Sequence, residues 1–266
     1  MANYDILGNM AILKFPKEAK KSEKLEKARE LLKNKSIKTI LEKTNKVSGR
    51  LRTIKTKYLL GEKTKIAEYR ENGCLFKFNV ETCYFSPRLA NERFEVARMI
   101  KKNENVLVMF AGVAPFSIVI AKISKPSKII SIELGKECCK YAEENLVKNK
   151  VENIVRVIQG DVKRIIPNLE KQKEKFDFIV MPRPNLKDSF IKQALGVSKK
   201  GTRIIYYGFS SEDKKSEMVE SLEKEAKKYK RKIRIVKVLE AGDIAPYEHR
   251  YRIEILVENS ATSQVN

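Results

Sequence analysis

The chain has 266 residues, 42% of them hydrophobic, enough for one large domain or a domain and a half around a real core. Its 56 Lys and Arg against 34 Asp and Glu give a formal net charge of +22, which argues against small neutral molecules as the whole partner set and favours a polyanion. Four cysteines with no CxxC pair and a single histidine, His249, argue against a zinc site and a secreted disulfide scaffold. No stretch is apolar enough to span a membrane and no signal peptide opens the chain, so a cytosolic, cytoplasmic protein is expected.

Abundant Lys, Glu and Ile with no Trp fit a thermophilic source. Thermophilic surfaces usually balance Lys against Glu, however, and this one does not, so nucleic acid is the better account of the excess.

Residues 4–14 read as a hairpin or two short strands around Gly8-Asn9. Residues 16–33 place Ala19, Leu25, Ala28, Leu31 and Leu32 at helical spacing among charges, and 37–41 suit a strand or a short helix. Segments 50–60, 65–70 and 74–79 alternate apolar and polar residues and predict strands, with Asn72-Gly73 as a hairpin turn. Residues 1–85 thus read as a small basic α+β module.

From about residue 88 the pattern changes. A helix over 89–101 is followed by strand 106–110, helix 115–123, strand 128–133, helix 136–149, strand 154–158 and strand 176–181. Helix 188–196, strand 202–207, helix 213–229 and strands 232–239 and 250–257 complete the set, and 258–266 reads as a frayed tail. The alternation predicts an α/β domain over 86–266: a three-layer, mostly parallel sheet.

Such sheets bind ligands beyond the carboxyl ends of their strands. Four ends carry marks here: Phe110-Ala111-Gly112, Glu133, Gly160-Asp161 and Met181-Pro182-Arg183-Pro184. One Gly followed by Ala114 and Pro115 is not the dinucleotide fingerprint, which points to a nucleoside such as S-adenosyl-L-methionine rather than NAD. Glu133 suits the ribose hydroxyls and Asp161 an adenine amino group; alternatively, both merely cap the next helix. In 84–93, Pro87 opens a helix and sets Arg88 and Glu92 at i and i+4, which by itself reads as a surface ion pair.

The same segment, YFSPRLANER, followed by VLVMFAGVAPFSIVIAK, resembles the archaeal and eukaryotic tRNA (guanine-37-N1)-methyltransferases. Members typically carry YFSPRL-x-x-ER and then D-x-FAGVGPFSIP, and the likeness runs through RENGCLFKFNV and VKNKVENIVRVIQGD over nearly the whole chain. The resemblance implies a class I, Rossmann-like S-adenosylmethionine domain behind a small RNA-binding domain. It makes Glu92 the general base, Arg52 the cation that stabilises the target base, Arg88 and Tyr84 organisers of the site, and Glu133 the ribose acid.

Phe110, Ala111, Gly112, Asp161 and Pro182 join Glu133 in the expected cofactor site, and Arg93, Arg183 and Pro184 are expected on the substrate side; no metal is implied. The chemistry agrees with these roles. Guanine N1 carries a proton that a carboxylate can accept, and the charge that builds on O6 suits a guanidinium.

The chain departs from the family pattern at Val108, at Ala114 and at Pro182-Arg183-Pro184, where Asp, Gly and Asn-Leu-Pro are common. An archaeal branch with a PRP-like loop resembles it more, and its members can also methylate a carbon (C7) of the tricyclic wyosine intermediate at the same tRNA position. Full-length relatives often carry one more N-terminal domain, and this chain starts where the second would begin. The chain is therefore expected to meet tRNA mainly through the anticodon arm, or with lower affinity; a monomer is expected. Two alternatives stand beside it: a methyltransferase on another RNA, and a noncatalytic RNA-binding protein with a degenerate methyltransferase fold. His249, before the last strand, reads with Arg250 and Arg252 as part of an RNA-facing edge rather than as a catalytic group.

Overall fold

A computed structural model describes residues 3–45, 49, 51–182, 188–245 and 247–258. Strands β1 (Asn3–Leu7) and β2 (Met10–Lys14) turn at Gly8-Asn9 as predicted, and Gly8 is required there. Its φ is +58°, and a Cβ would lie 1.8 Å from the Glu68 carbonyl oxygen. Helix α1 (Lys21–Leu32) carries the chain across to β3 (Thr39–Lys43), parallel to β2, and β4 (Thr56–Gly61) closes a sheet of order β1-β2-β3-β4. Alternation divides its side chains. Ala11, Leu13 and Ile40 pack on Ala28 and Leu31 of α1, while Met10, Ile12 and Leu41 join the main core.

The strand predicted over 50–60 begins only at Thr56. Residues 51 and 52 lie in a turn, with the Arg52 amide donating to the Gly49 carbonyl and Arg52 at φ +53°. Strands β5 (Ile66–Glu71) and β6 (Cys74–Asn79) form the hairpin predicted at Asn72-Gly73, with positive φ at both turn residues.

The larger unit runs through α2 (Ala90–Met99), β7 (Asn105–Met109), α3 (Pro115–Ser124), β8 (Lys128–Glu133), α4 (Lys136–Lys148), β9 (Val155–Gln159), α5 (Val162–Lys171) and β10 (Phe176–Met181). It continues with α6 (Ile191–Gly196), β11 (Ser198–Ser210), α7 (Lys215–Lys228), β12 (Ile233–Ala245) and β13 (Glu248–Val257). The sheet order is β12-β13-β11-β10-β7-β8-β9. Strands β7 to β11 are mutually parallel, and β13 runs antiparallel between β11 and β12. Val106 to Met109 and Phe178 to Met181 are wholly buried, as strands covered on both faces should be. Connections leave β7 toward β9 and later return to its other side through β10, so the crevice beyond β7 and β10 is the switch point where such sheets take ligands.

Helix α5 escaped the sequence reading, which ran from one strand to the next without a crossover. Parallel β9 and β10 need one. Val162, Ile165, Ile166 and Leu169 do fall on one helical face, but Pro167 inside the helix reads as a breaker. Strands β11 and β12 are each 13 residues long, well past the predicted ends, and this extension carries the rim of the crevice.

Among the described residues the β5–β6 hairpin pairs with no other strand; α4 holds its edge instead. The Asn145 amide accepts from the Lys77 N–H (2.8 Å) and donates to the Lys77 carbonyl (3.1 Å). Asn149 does the same at Leu75, at 2.8 and 2.7 Å. Two side-chain amides thus imitate a neighbouring strand and dock the hairpin on the larger unit. Among the described residues no helix is long and apolar enough to cross a membrane.

Candidate active site

The turn after β7 is wound left-handed: Phe110, Gly112 and Ala114 have φ of 63°, 58° and 64°. For Phe and Ala this conformation costs about 1–2 kcal/mol each, strain of the kind held at functional turns. The turn aims the Gly112 N–H at Glu133, whose Oε2 accepts it at 2.7 Å, while Oε1 accepts the Gly135 N–H at 2.7 Å. Glu133 is 8% exposed. Burial pushes its carboxyl above the usual carboxylate range, and the backbone N–H donors of Gly135, Gly112 and Leu134 oppose the shift only in part. Asp161 caps α5 by accepting the Lys163 N–H at 2.9 Å, so the capping alternative holds at this position, yet Asp161 also lines the crevice.

Around these two acids a cleft encloses about 1130 Å³, part of it open to solvent. Ile132, Leu134, Cys138 and Val162 give its inner half apolar walls beside the Glu133 carboxylate. An apolar slot with one oriented acid fits a nucleoside: the slot takes the base, and the carboxylate takes the ribose hydroxyls. A Cβ on Gly112 would meet no protein atom closer than the Tyr84 carbonyl oxygen at 3.7 Å, so the space this glycine leaves belongs to the cleft. Phe110, Ala111 and Pro182 also line it; Arg183 and Pro184 lie outside the described residues. All four cysteines are buried, and burial pushes Cys74 up to about 11 and Cys139 up to about 12, so neither offers a thiolate.

The outer half is aromatic and cationic. The Arg52 guanidinium stacks 4.2 Å above the Tyr84 ring, and both line the cleft with Tyr207, Phe209 and Arg250. Glu92 lies one layer behind. Tyr207, which does line the cleft, donates its hydroxyl to Glu92 Oε2 at 2.8 Å. Arg252 Nη1 holds both Glu92 oxygens at 3.1 and 3.0 Å and Glu95 at 2.8 Å. Burial, then the nearby Glu92 charge, push the Tyr207 phenol well above its ordinary range, so it stays a neutral donor. Tyr207 and Phe209 on β11 stand directly across from Arg252 and Arg250 on β13, and these two rungs build the rim. No motif marks Tyr207 and the sequence leaves it unassigned, while Arg250 and Arg252 are expected from it only on an RNA-facing edge.

Two expectations are corrected. Arg88 does not pair with Glu92: Pro87–Leu89 form a separate 3-10 turn before α2, and Arg88 is largely exposed, 3.5 Å from Asp5 and outside the main cleft. Arg93 is not free for substrate. It lines the cleft yet is only 1% exposed: Nη2 meets Glu71 Oε2 at 2.6 Å, Nε meets Oε1, and Nη2 donates to the Ser86 carbonyl at 2.9 Å. Its charge is neutralised by the hairpin strand β5. Glu71→Ala should therefore cost about 3–5 kcal/mol, because it strands a buried cation. Denaturant unfolding reads that loss, and a change below about 1 kcal/mol would contradict the role. His249 sits apart, its Nδ1 2.7 Å from Asp243 Oδ1.

A seven-stranded sheet whose one antiparallel strand slots in second from the edge, above a switch-point cleft without a diphosphate loop, defines a class I methyltransferase fold. Residues 67–236 match the TRM5/TYW2 methyltransferase domain and residues 1–64 the TYW2 N-terminal domain; the chain belongs to this family. The chain is 34% identical to the tRNA (guanine(37)-N(1))-methyltransferase Trm5b of Pyrococcus abyssi, over 96% of its own length and 74% of the relative's. The crystal structure of that protein superposes with a TM-score of 0.84 at 33% identity, over 97% of this chain and 75% of the other. The tRNA (guanine(37)-N(1))/4-demethylwyosine(37)-methyltransferase Taw22 of Nanoarchaeum equitans is 33% identical, over 95% of this chain and 99% of its own. The complex of aTrm5 and tRNALeu aligns with a TM-score of 0.83 at 26% identity, covering 97% and 72%.

Proposed function

We propose that the chain is an S-adenosylmethionine-dependent methyltransferase acting on N1 of guanine 37 in tRNA, and also on C7 of the tricyclic wyosine intermediate at that position. The observation that carries this reading is the continuity of the cleft. A nucleoside slot at Glu133 opens directly onto the Arg52–Tyr84 stack and the Tyr207–Glu92 hydrogen bond. The names of the two relatives and the excess of 56 basic over 34 acidic residues support it. Nucleotide 37 belongs to the anticodon arm, so that arm is the part of tRNA the cleft must meet.

When bound, the cofactor supplies a methyl group already activated on its sulfonium. Glu133 accepts the ribose hydroxyls, and the apolar walls beside it hold the adenine. On the outer side Arg52 and Tyr84 offer a planar surface for the purine, and the Arg52 guanidinium stabilises charge developing on O6. The N1 proton passes to the Tyr207 oxygen as Tyr207 gives its own proton to Glu92 Oε2, the acceptor it already holds. Arg252 fixes Glu92 for that transfer.

Labelled cofactor should transfer methyl to a tRNA transcript with G at position 37, not to one with A there, and should also label tRNA bearing 4-demethylwyosine. Nucleoside mass identifies the group transferred. Equal labelling of the A37 transcript, or none of any tRNA, would overturn the reading.

A further inference from the structure

Two guanidinium groups share the outer half of the cleft, and the protein leaves both without an acid. Arg52 rises from the turn before β4 and lies over Tyr84; its Nε is buried with no hydrogen-bond acceptor. Arg250 comes from β13, opposite Phe209, and is 7% exposed. Its polar contact within the protein is a long one, Nη1 to the Ala241 carbonyl at 3.5 Å. Residues 1–2, 46–48, 50, 183–187, 246 and 259–266 include no Asp or Glu, so every acidic side chain lies among the described residues, and none forms an ion pair with either arginine.

Three other buried or half-buried arginines are treated differently, and a fourth, Arg231, bonds the Ser198 carbonyl and hydroxyl instead of an acid. Glu71 holds Arg93, Glu104 holds Arg203, and Glu92 with Glu95 holds Arg252. A cation this deeply buried is unfavourable without a counter-charge, and a second cation beside it adds repulsion. Burial and the Arg52 charge both work against the protonated Arg250 side chain. The missing anion must therefore arrive with what binds.

On the tRNA reading above, the target purine occupies the Arg52–Tyr84 surface. A nucleotide turned out of its loop brings its phosphodiester to the rim of the same cleft, and a forked guanidinium is the side chain suited to those oxygens. We propose that Arg250 binds a backbone phosphate flanking the nucleotide that is methylated, leaving Arg52 to the base. The role is one of positioning: it fixes how far the base enters toward Tyr207.

The test uses the full chain and tRNA carrying one uncharged methylphosphonate linkage, on the 5′ or the 3′ side of nucleotide 37. Arg250→Met should weaken tRNA binding and lower kcat/KM by roughly 10- to 100-fold with native tRNA. Its salt dependence of binding should flatten by about one released counterion. For wild type, one of the two linkages should cause a similar loss, and that same linkage should cost Arg250→Met almost nothing. Arg250→Lys should recover part of the binding, and an unchanged unfolding midpoint excludes misfolding.

Losses that multiply for both linkages would overturn the proposal. So would a weakened S-adenosylmethionine Kd in Arg250→Met, which would assign the anion to the cofactor's carboxylate. If wild type transfers no methyl group, the functional reading fails, while tRNA binding and its salt slope still decide the subsite.

Discussion

Glu133→Ala is expected to weaken S-adenosylmethionine binding by roughly 100- to 10,000-fold, the loss of two charge-assisted hydrogen bonds at about 1.5–3 kcal/mol each. Both Glu133 oxygens are already oriented by the Gly112 and Gly135 N–H groups, so the carboxylate meets the ribose without reorganising. Its environment also fixes a pH dependence. Burial raises the Glu133 carboxyl, and the ribose hydroxyls need the ionised form as acceptor. Cofactor affinity should therefore fall as pH drops through that raised value, nearer to neutrality than an ordinary glutamate would allow.

Stability of the cofactor-free protein should respond to Glu133 in the opposite sense. A raised folded-state value means the folded chain holds the proton more tightly, so this contribution is present at low pH and lost as pH rises through it. Calorimetric titration from about pH 8 down to about pH 4 checks the affinity. A Kd flat over that range, or unchanged in Glu133→Ala, would remove Glu133 from the ribose site.

What the sequence made legible is local. The strand, turn and helix around Gly112, the acid ending the next strand at Glu133 and the hairpin at Asn72-Gly73 each lie within a few residues, where periodicity and turn chemistry speak directly. The antiparallel end of the sheet could be read as well, because two strands followed a long helix. The arginine roles could not be read this way. Arg93 is neutralised by Glu71, 22 residues away on another element, and Glu92 is held by Arg252 across 160 residues. A family motif places both Glu92 and Arg93 on one helix; only tertiary structure shows that one meets the Tyr207 rung and the other is locked in the cleft wall by Glu71. Tyr207 and Arg250 lie within the predicted strands 202–207 and 250–257, but only the β11–β13 register, which pairs Tyr207 with Arg252 and Phe209 with Arg250, sets them on one rim. Ala114 shows a departure from the motif absorbed in place: it adopts the left-handed turn that the usual glycine would take without strain.

Glu92→Gln should lower kcat for methyl transfer to guanine 37 by roughly 100- to 10,000-fold, the range of general base catalysis, with the cofactor Kd unchanged. The fold should survive, since Arg252 keeps Glu95 as its partner. Tyr207→Phe separates two routes for the proton. If Glu92 swung into the cleft and took the proton directly, removing one hydroxyl would cost little. The geometry gives a different expectation: Tyr207 lines the cleft, Glu92 does not, and the hydroxyl between them is already bonded to the carboxylate.

Tyr207→Phe should then fall nearly as far as Glu92→Gln, and the double variant should be little worse than either alone, because residues acting as one unit are not additive. Rates in mixed light and heavy water add a readout that a packing defect would not move. Wild type should show two protons in flight, one leaving N1 and one leaving Tyr207. A linear, one-proton dependence with only a slight loss in Tyr207→Phe would return the base to Glu92 alone and make the tyrosine a wall.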